Sequence, residues 1–149
     1  MQHMHEEVWI EAPVEHVWEL FCDTSRWKAL MPRNEFSDFS GPVDKVGTTY
    51  VTTMRLLGLA RTETLEIVEV EPLRLIHEHA VDGPMDNRFR FEPHGDRTRV
   101  ILESDFDVSS KLPGFVTDIV RRRFSERYTR DVLADLKALA EAEVPASAR

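Results

Sequence analysis

The sequence predicts an α+β fold: a curved antiparallel sheet of six to seven strands closed around one long C-terminal helix, with two short helices after the first strand. Three observations carry this prediction. Counting in fours from Leu112 gives Val116, Val120, Phe124, Tyr128, Val132, Leu136 and Ala140, every one apolar or aromatic, flanked by Phe115, Ile119, Leu133 and Leu139. Residues four apart stack on successive turns of one helix face, so this row is a buried ridge. Between Asn34 and Val108 the apolar period is two instead, the signature of half-buried strands. The breaks in that region are short, at Gly41-Pro42, Gly58, Glu71-Pro72, Asp82-Gly83-Pro84 and His94-Gly95-Asp96, which suits hairpins and leaves no room for crossover helices.

Met4 to Glu11 reads as the first strand, with Val8 and Ile10 alternating against Glu7 and Trp9. Ala12-Pro13 ends it, and Pro13 suits the first turn of a helix. Val14, Val17, Trp18 and Phe21 have helical spacing within Val14 to Cys22. Asp23-Thr24-Ser25 supplies turn and cap chemistry for a second short helix from Arg26 to Leu30, which Met31-Pro32 ends. The strand candidates that follow are Glu35–Phe39, Thr48–Leu57, Ala60–Glu71, Leu73–Val81, Met85–Glu92 and Thr98–Val108. A long meander must cover its inner face, and the element long enough to do so is the helix from Leu112 to about Ala142, about 45 Å if straight. Each step of four along its ridge overshoots a full turn by about 40°, so the buried face slides around the helix. A bend or a change of packing partner is therefore predicted near Arg121–Arg127. The first half would roof a cavity, and the second half, from Tyr128 to Ala140, would pack on solid core.

A chain of 149 residues is expected to form one domain, 1–149, with 145–149 frayed. Hydrophobic content of 42% with charged content of 31% separates it from disordered and membrane-spanning chains. A net charge of −8 argues against nucleic acid as a partner, since a basic face supplies most of that binding. Arg121, Arg122 and Arg123 sit among Asp118, Glu126 and Asp131 and read as a solvated helix face. Cys22 is the single cysteine, so no internal disulfide can form, and its apolar neighbours suit a small buried side chain. The N-terminus lacks the basic and apolar regions of a secretory leader, and no apolar run approaches the roughly 20 residues that span a bilayer. The expectation is a cytoplasmic protein without integral membrane association, monomeric or homodimeric.

Several separated segments resemble one superfamily. The opening VWIEAPVEHVWELFCDTSRWKALMP is similar to the start of the START-like, polyketide cyclase/dehydrase proteins, a group that includes the birch-pollen allergens. EIVEVEPLRLIHEH resembles that superfamily's hairpin with a Glu-Pro turn, and DRTRVILESDFDV its last strand, followed by Leu-Pro-Gly before the long helix. The resemblance covers nearly the whole chain. It implies a helix-grip fold with an apolar cavity between sheet and long helix, and a small hydrophobic molecule as partner. The superfamily shares no universal catalytic motif, so it implies no catalytic residue here.

Candidate ligand contacts follow from strand parity. Leu73, Leu75, His77, His79 and Val81 share one face of a strand, and two histidines on an apolar face suit hydrogen bonding or proton transfer to a ligand. The alternative is a twist or bulge after Leu75 that turns both histidines to solvent. Two alternate histidines lack a third metal ligand, so no metal or other cofactor is expected. Met85, Asn87, Phe89 and Phe91 share the next face, with Asn87 as its polar member, placed either to donate to a ligand carbonyl or to satisfy a local bulge. Val100, Leu102, Ser104 and Phe106 share the last, where Ser104 has no visible activating partner. Tyr50, Thr52 and Met54 oppose Val51, Thr53 and Arg55 without a clear apolar face, and Tyr50 and Met54 are the expected inward pair; Trp27 and Met31 either cap one end of the cavity or pack in the core. Phe115 and Ile119 would line the helix wall. Arg123 falls on the apolar side of the helix, where it either meets a ligand carboxylate or snorkels its stem to the rim. The leading functional reading is binding of a small lipid-like or aromatic, polyketide-like molecule. Two others stay open: a cyclase/dehydratase using His77, His79 or Asn87, and a structural or regulatory domain with a solid interior.

Overall fold

The computed structural model describes residues 2–56, 59–106 and 118–143. Strand β1 (Gln2–Ile10) is followed by α1 (Val14–Cys22), a 3-10 turn (Thr24–Arg26) and α2 (Trp27–Leu30). Strands β2 (Asn34–Ser37), β3 (Thr49–Leu56), β4 (Leu59–Glu71), β5 (Leu75–Ala80), β6 (Asp86–His94) and β7 (Arg97–Phe106) lead to helix α3 (Asp118–Ala142). The strands form one seven-stranded sheet in the order β1-β7-β6-β5-β4-β3-β2, antiparallel throughout. Each hairpin places its strand beside the previous one. The two short helices then carry the chain between the sheet's two edge strands, β1 and β2. Leu112 to Thr117, where the long helix was expected to begin, lies outside the described residues.

Local chemistry explains the junctions. Pro13 sits just before α1, and its carbonyl accepts from the amides of His16 (3.1 Å) and Val17 (3.2 Å). Asp23 caps the 3-10 turn through the amide of Ser25 at 3.1 Å. At the β4–β5 turn the Arg74 amide donates to Glu71 O at 2.9 Å, and Leu73 takes φ +65°, a left-handed conformation that suits glycine. Leu73 packs against the core, which offsets that strain.

Strand β4 carries one irregularity. The β4–β5 register shifts between Ile67 and Glu69, a bulge at Val68. Before it, Arg61, Glu63, Leu65 and Ile67 point inward; after it, Val70 does, opposite Ile76. On β5, whose ladder with β6 runs without a shift, the inward residues are Ile76, Glu78 and Ala80, all buried, whereas His77 and His79 take the outer face.

Most of the core lies between the sheet, α1 and the C-terminal half of α3. Phe21, Phe89, Phe91 and Trp18 interlock there, with Trp18 edge-on to Phe91 at 5.1 Å. On α3 the buried residues are Thr129, Val132, Leu133, Leu136 and Ala140, and they include the C-terminal part of the four-step ridge. The helix end is pinned by His16 Nε2 to Ala140 O (3.1 Å), Arg26 to Glu143 (2.7 Å) and the Glu11 amide to Glu141 (2.8 Å). The expected bend or partner change near Arg121–Arg127 falls where most side chains are outside the described residues.

Candidate functional site

The sheet and α3 enclose a cavity of about 60 Å³, within roughly 650 Å³ of atom-free space that runs out through its mouth. Its walls come from Met31 after α2, Asn34 and Phe36 of β2, Tyr50, Thr52 and Met54 of β3, and Leu65 of β4. Glu78, Met85, Asn87, Phe89, Leu102 and Ser104 continue the wall across the β5, β6 and β7 region, and Tyr128, Thr129 and Val132 of α3 close it. A volume of about 60 Å³ holds a few waters, since one water needs roughly 10–15 Å³ by this measure. Met31, Met54 and Met85 are the flexible members of the lining, able to repack around something larger.

Four side chains on four strands join into one polar chain across the floor. Tyr50 Oη lies 2.5 Å from Glu78 Oε2 and donates to it when the carboxyl is ionised. Asn87 Nδ2 donates to Glu78 Oε1 at 3.0 Å, and Ser104 Oγ donates to Asn87 Oδ1 at 2.5 Å. Register makes this possible, because Glu78 pairs with Asn87 and Asn87 with Ser104 in the ladders, so all three point to the same side. A second polar group lies beside α2 and α3: Tyr128 Oη donates to Asn34 Oδ1 (2.8 Å), and Asn34 Nδ2 to Thr52 Oγ1 (3.0 Å). On β4, the Arg61 guanidinium grips Glu63 Oε1 through Nε at 2.7 Å and a terminal nitrogen at 2.6 Å.

Glu78 is 4% exposed. Burial pushes its carboxyl above the usual carboxylate range; hydrogen bonds from Tyr50 and Asn87 oppose the rise, and the charge of Asp86 adds to it. Burial also pushes the Tyr50 hydroxyl well up, with the neighbouring Glu78 reinforcing it. Tyr128 is raised mainly by burial. When Glu78 is neutral, the Tyr50–Glu78 contact carries two protons for one oxygen–oxygen bond. One lies between the oxygens, and the other is available to a ligand oxygen. The thiol of Cys22 lies outside this cavity, and burial followed by the Asp44 charge raises it to about 12, so it is no nucleophile at neutral pH.

The structure sorts the residues singled out from sequence. Met31, Tyr50, Met54, Asn87 and Phe89 lie on the cavity wall. His77 and His79 do not: His77 pairs on the outer face with Asp86 (2.8 Å), and His79 is exposed. The physical reason is that β5 turns Ile76, Glu78 and Ala80 inward, level with Phe89 and Asn87 of β6, which leaves the alternate residues on the outer face. Trp27 is a core residue behind the wall, edge-on to Tyr50 at 5.2 Å, with its Nε1 donating to Phe21 O at 2.7 Å. Arg123 is exposed rather than on the apolar side, and it is not part of the cavity wall. Tyr128, Thr129 and Val132 line the cavity, so the expectation that α3 packs on solid core from Tyr128 onward is corrected. Phe115 and the side chains of Phe106 and Ile119 lie outside the described residues.

Sequence reading missed Glu78, whose signal was its place between Ile76 and Ala80. It also missed Arg61 and Glu63, which share a period of two with Leu65 and Ile67. Ser104, left without a partner in the sequence, finds one in Asn87. Among the described residues no group of three His, Cys, Asp or Glu is placed to hold a metal ion. Likewise no described helix is long and apolar enough to cross a membrane.

A curled antiparallel sheet around a C-terminal helix, with a cavity between them, defines the helix-grip class of proteins. Within that class, the family described as polyketide cyclase / dehydrase and lipid transport matches residues 1–141, and the chain belongs to it. Solved structures of similar fold include the Zhui aromatase/cyclase from Streptomyces sp. R1128, at 22% identity and TM-score 0.76, covering 98% of this chain and 97% of that one. A protein from Thermus thermophilus aligns at 19% identity and TM-score 0.71, covering 95% and 98%. The ginseng major latex-like protein 151 from Panax ginseng aligns at 15% identity and TM-score 0.68, covering 93% and 97%. At these identities the likeness is one of fold. No curated relative matches the chain in sequence.

Proposed function

We propose that this protein binds a small, mainly apolar molecule, lipid-like or aromatic, in the cavity between sheet and α3. The observation that carries this reading is the Tyr50–Glu78–Asn87–Ser104 chain on a cavity wall whose apolar members are Met31, Phe36, Met54, Leu65, Met85, Phe89, Leu102 and Val132. Burying a carboxyl and its partners costs stability, and an interior built only for packing has no use for it. A few polar groups converging in an apolar pocket are the usual design of a small-molecule site. Native mass spectrometry of protein taken directly from cells is expected to show a retained ligand of a few hundred daltons. Tyr50→Phe is expected to weaken its retention. Uniformly ligand-free protein that also fails to bind any apolar probe would sink the reading.

A second reading, a cyclase/dehydratase-type enzyme, is favoured by one specific feature: a buried carboxyl with a raised proton affinity touching a tyrosine hydroxyl. In the loss of water from a β-hydroxy ketone, ionised Glu78 would take the proton from the carbon next to the carbonyl. The carbon–oxygen bond would then break as Tyr50 protonates the departing hydroxyl, releasing water and leaving the enone. Turnover of such substrates is expected to fall at least a hundredfold in Glu78→Gln, at the lower end of typical general acid–base contributions. Unchanged turnover in that variant would leave binding as the sole reading.

A further inference from the structure

We propose that the cavity selects neutral, oxygen-bearing ligands, such as phenols, alcohols and ketones, and rejects carboxylic acids of the same shape. This inference rests on the ligand-binding reading above and adds the chemical class of ligand.

Charge and hydrogen-bonding capacity on the described wall both point this way. Its ionisable side chains are Tyr50, Arg61, Glu63, Glu78 and Tyr128. Arg61 is the single cation among them, and Glu63 holds it through two nitrogens on one carboxylate oxygen. Arg123, for which a ligand carboxylate was one of two sequence readings, is exposed and absent from the wall. Glu78 adds a carboxyl whose hydrogen-bond partners, Tyr50 and Asn87, are both neutral. The described wall therefore offers an incoming carboxylate one acid in the centre of the floor and one cation already engaged by another acid. A buried anion without a counter-charge is strongly disfavoured, so the ligand acid would have to enter protonated. At pH 7.5 that requirement weakens an ordinary carboxylic acid by up to about a thousandfold.

A neutral oxygen meets better partners. The Tyr50–Glu78 pair presents a proton when Glu78 is neutral, which suits a ketone or the oxygen of an alcohol or phenol. Ser104 Oγ, already donating to Asn87, keeps lone pairs for a ligand hydroxyl to donate to. A ligand oxygen can thus accept at the Tyr50–Glu78 end, and a ligand hydroxyl can donate at the Ser104 end, while Met85, Phe89 and Leu102 cover the apolar body.

The test uses the whole chain and matched skeletons at pH 7.5: 1-naphthol, 1-naphthoate and 1-naphthylmethylamine, then decanol and decanoate, by isothermal titration calorimetry. The expected result is that naphthol binds at least tenfold tighter than naphthoate, with decanol and decanoate in the same order. Glu63→Gln, which removes the carboxylate from Arg61, is expected to tighten naphthoate at least tenfold while naphthol stays within about threefold. His79→Ala, on the outer face, is expected to leave every affinity unchanged. Equal or tighter binding of the acids by the natural chain overturns the proposal and leaves the ligand-binding reading standing. So does tightest binding of the amine, which would mean an ionised Glu78 recognising a cation. An acid affinity unmoved by a folded Glu63→Gln overturns the role given to the Arg61–Glu63 pair. If Glu63→Gln does not fold, the comparison within the natural chain decides alone. If no member of either series binds, the proposal falls, and the ligand-binding reading falls with it when protein taken from cells is also uniformly ligand-free.

Discussion

Glu78 and His77 are neighbours on one strand, each hydrogen-bonded to a residue of β6, yet they belong to different chemistries. Glu78 faces the cavity, 4% exposed, with Tyr50 and Asn87 as partners. His77 faces the other side of the sheet, hydrogen-bonded to Asp86 and near Glu69. Removing water strengthens every interaction on the inner side and makes every missing partner costly. Outside, water screens and replaces. The same residue types would therefore report differently from the two faces, and substitutions along adjacent positions can test that contrast.

The largest contrast is expected on β6. Phe91→Ala should lose about 3–5 kcal/mol, since Phe91 is 2% exposed and interlocks with Trp18 and Phe21. Its outward neighbour Arg90, paired with Glu103 at 3.2 Å, should lose below about 1 kcal/mol as alanine. Chemical denaturation of both variants checks this, and similar losses would erase the distinction between the faces.

On β5 the contrast becomes one of pH. The folded-state value of Glu78 is raised, so its penalty is absent below the unfolded carboxylate value near 4.3, where both states are protonated. Above that pH the unfolded chain ionises first, and the folded state loses stability relative to it by up to about 1.4 kcal/mol per pH unit. The loss stops growing above the folded value. Glu78→Gln abolishes this dependence; Asn87 can turn its amide and Ser104 can become the acceptor. Relative to that variant, the natural chain is expected to grow less stable as the pH rises above about 5. Denaturant midpoints across that range that move in parallel for both proteins would argue against a raised Glu78.

A smaller effect is expected where the helix meets the sheet. Asn34→Ala strands the Tyr128 and Thr52 hydroxyls and should cost about 1–3 kcal/mol. Thermal unfolding checks it, with Tyr128→Phe expected to lose less. The smallest belongs to His79→Ala, within about 0.5 kcal/mol of the natural chain because His79 is exposed. A loss above about 1 kcal/mol there would mean that the outer face is covered.

The element order, the antiparallel meander, the long helix and the inward faces of β3, β6 and β7 were legible in the sequence. An unbroken period of two or of four reports which residues share a face, whatever they pack against. Tyr50, Met54, Asn87 and Phe89 reached the cavity wall on that basis alone. Glu78 did not, because Leu73, Leu75 and Val81 made the histidine face of β5 read as the apolar one, whereas Leu73 belongs to the turn with φ +65° and Val81 is exposed. The inward side of β5 is set by its ladder to β6, where Ile76 pairs with Phe89 and Glu78 with Asn87. Arg123 and Trp27 failed differently. Helical phase put Arg123 on an apolar side and proximity put Trp27 near the cavity, but which neighbour arrives at each is settled by the docking of α3 and by Phe36, Phe39 and Tyr50 around the indole. The sequence by itself determined the elements and their order, because those rest on local sterics and apolar periodicity. Which carboxyl was shut away from water, with which hydroxyl beside it, was decided by the tertiary structure, because burial and pairing arise between strands far apart in the chain.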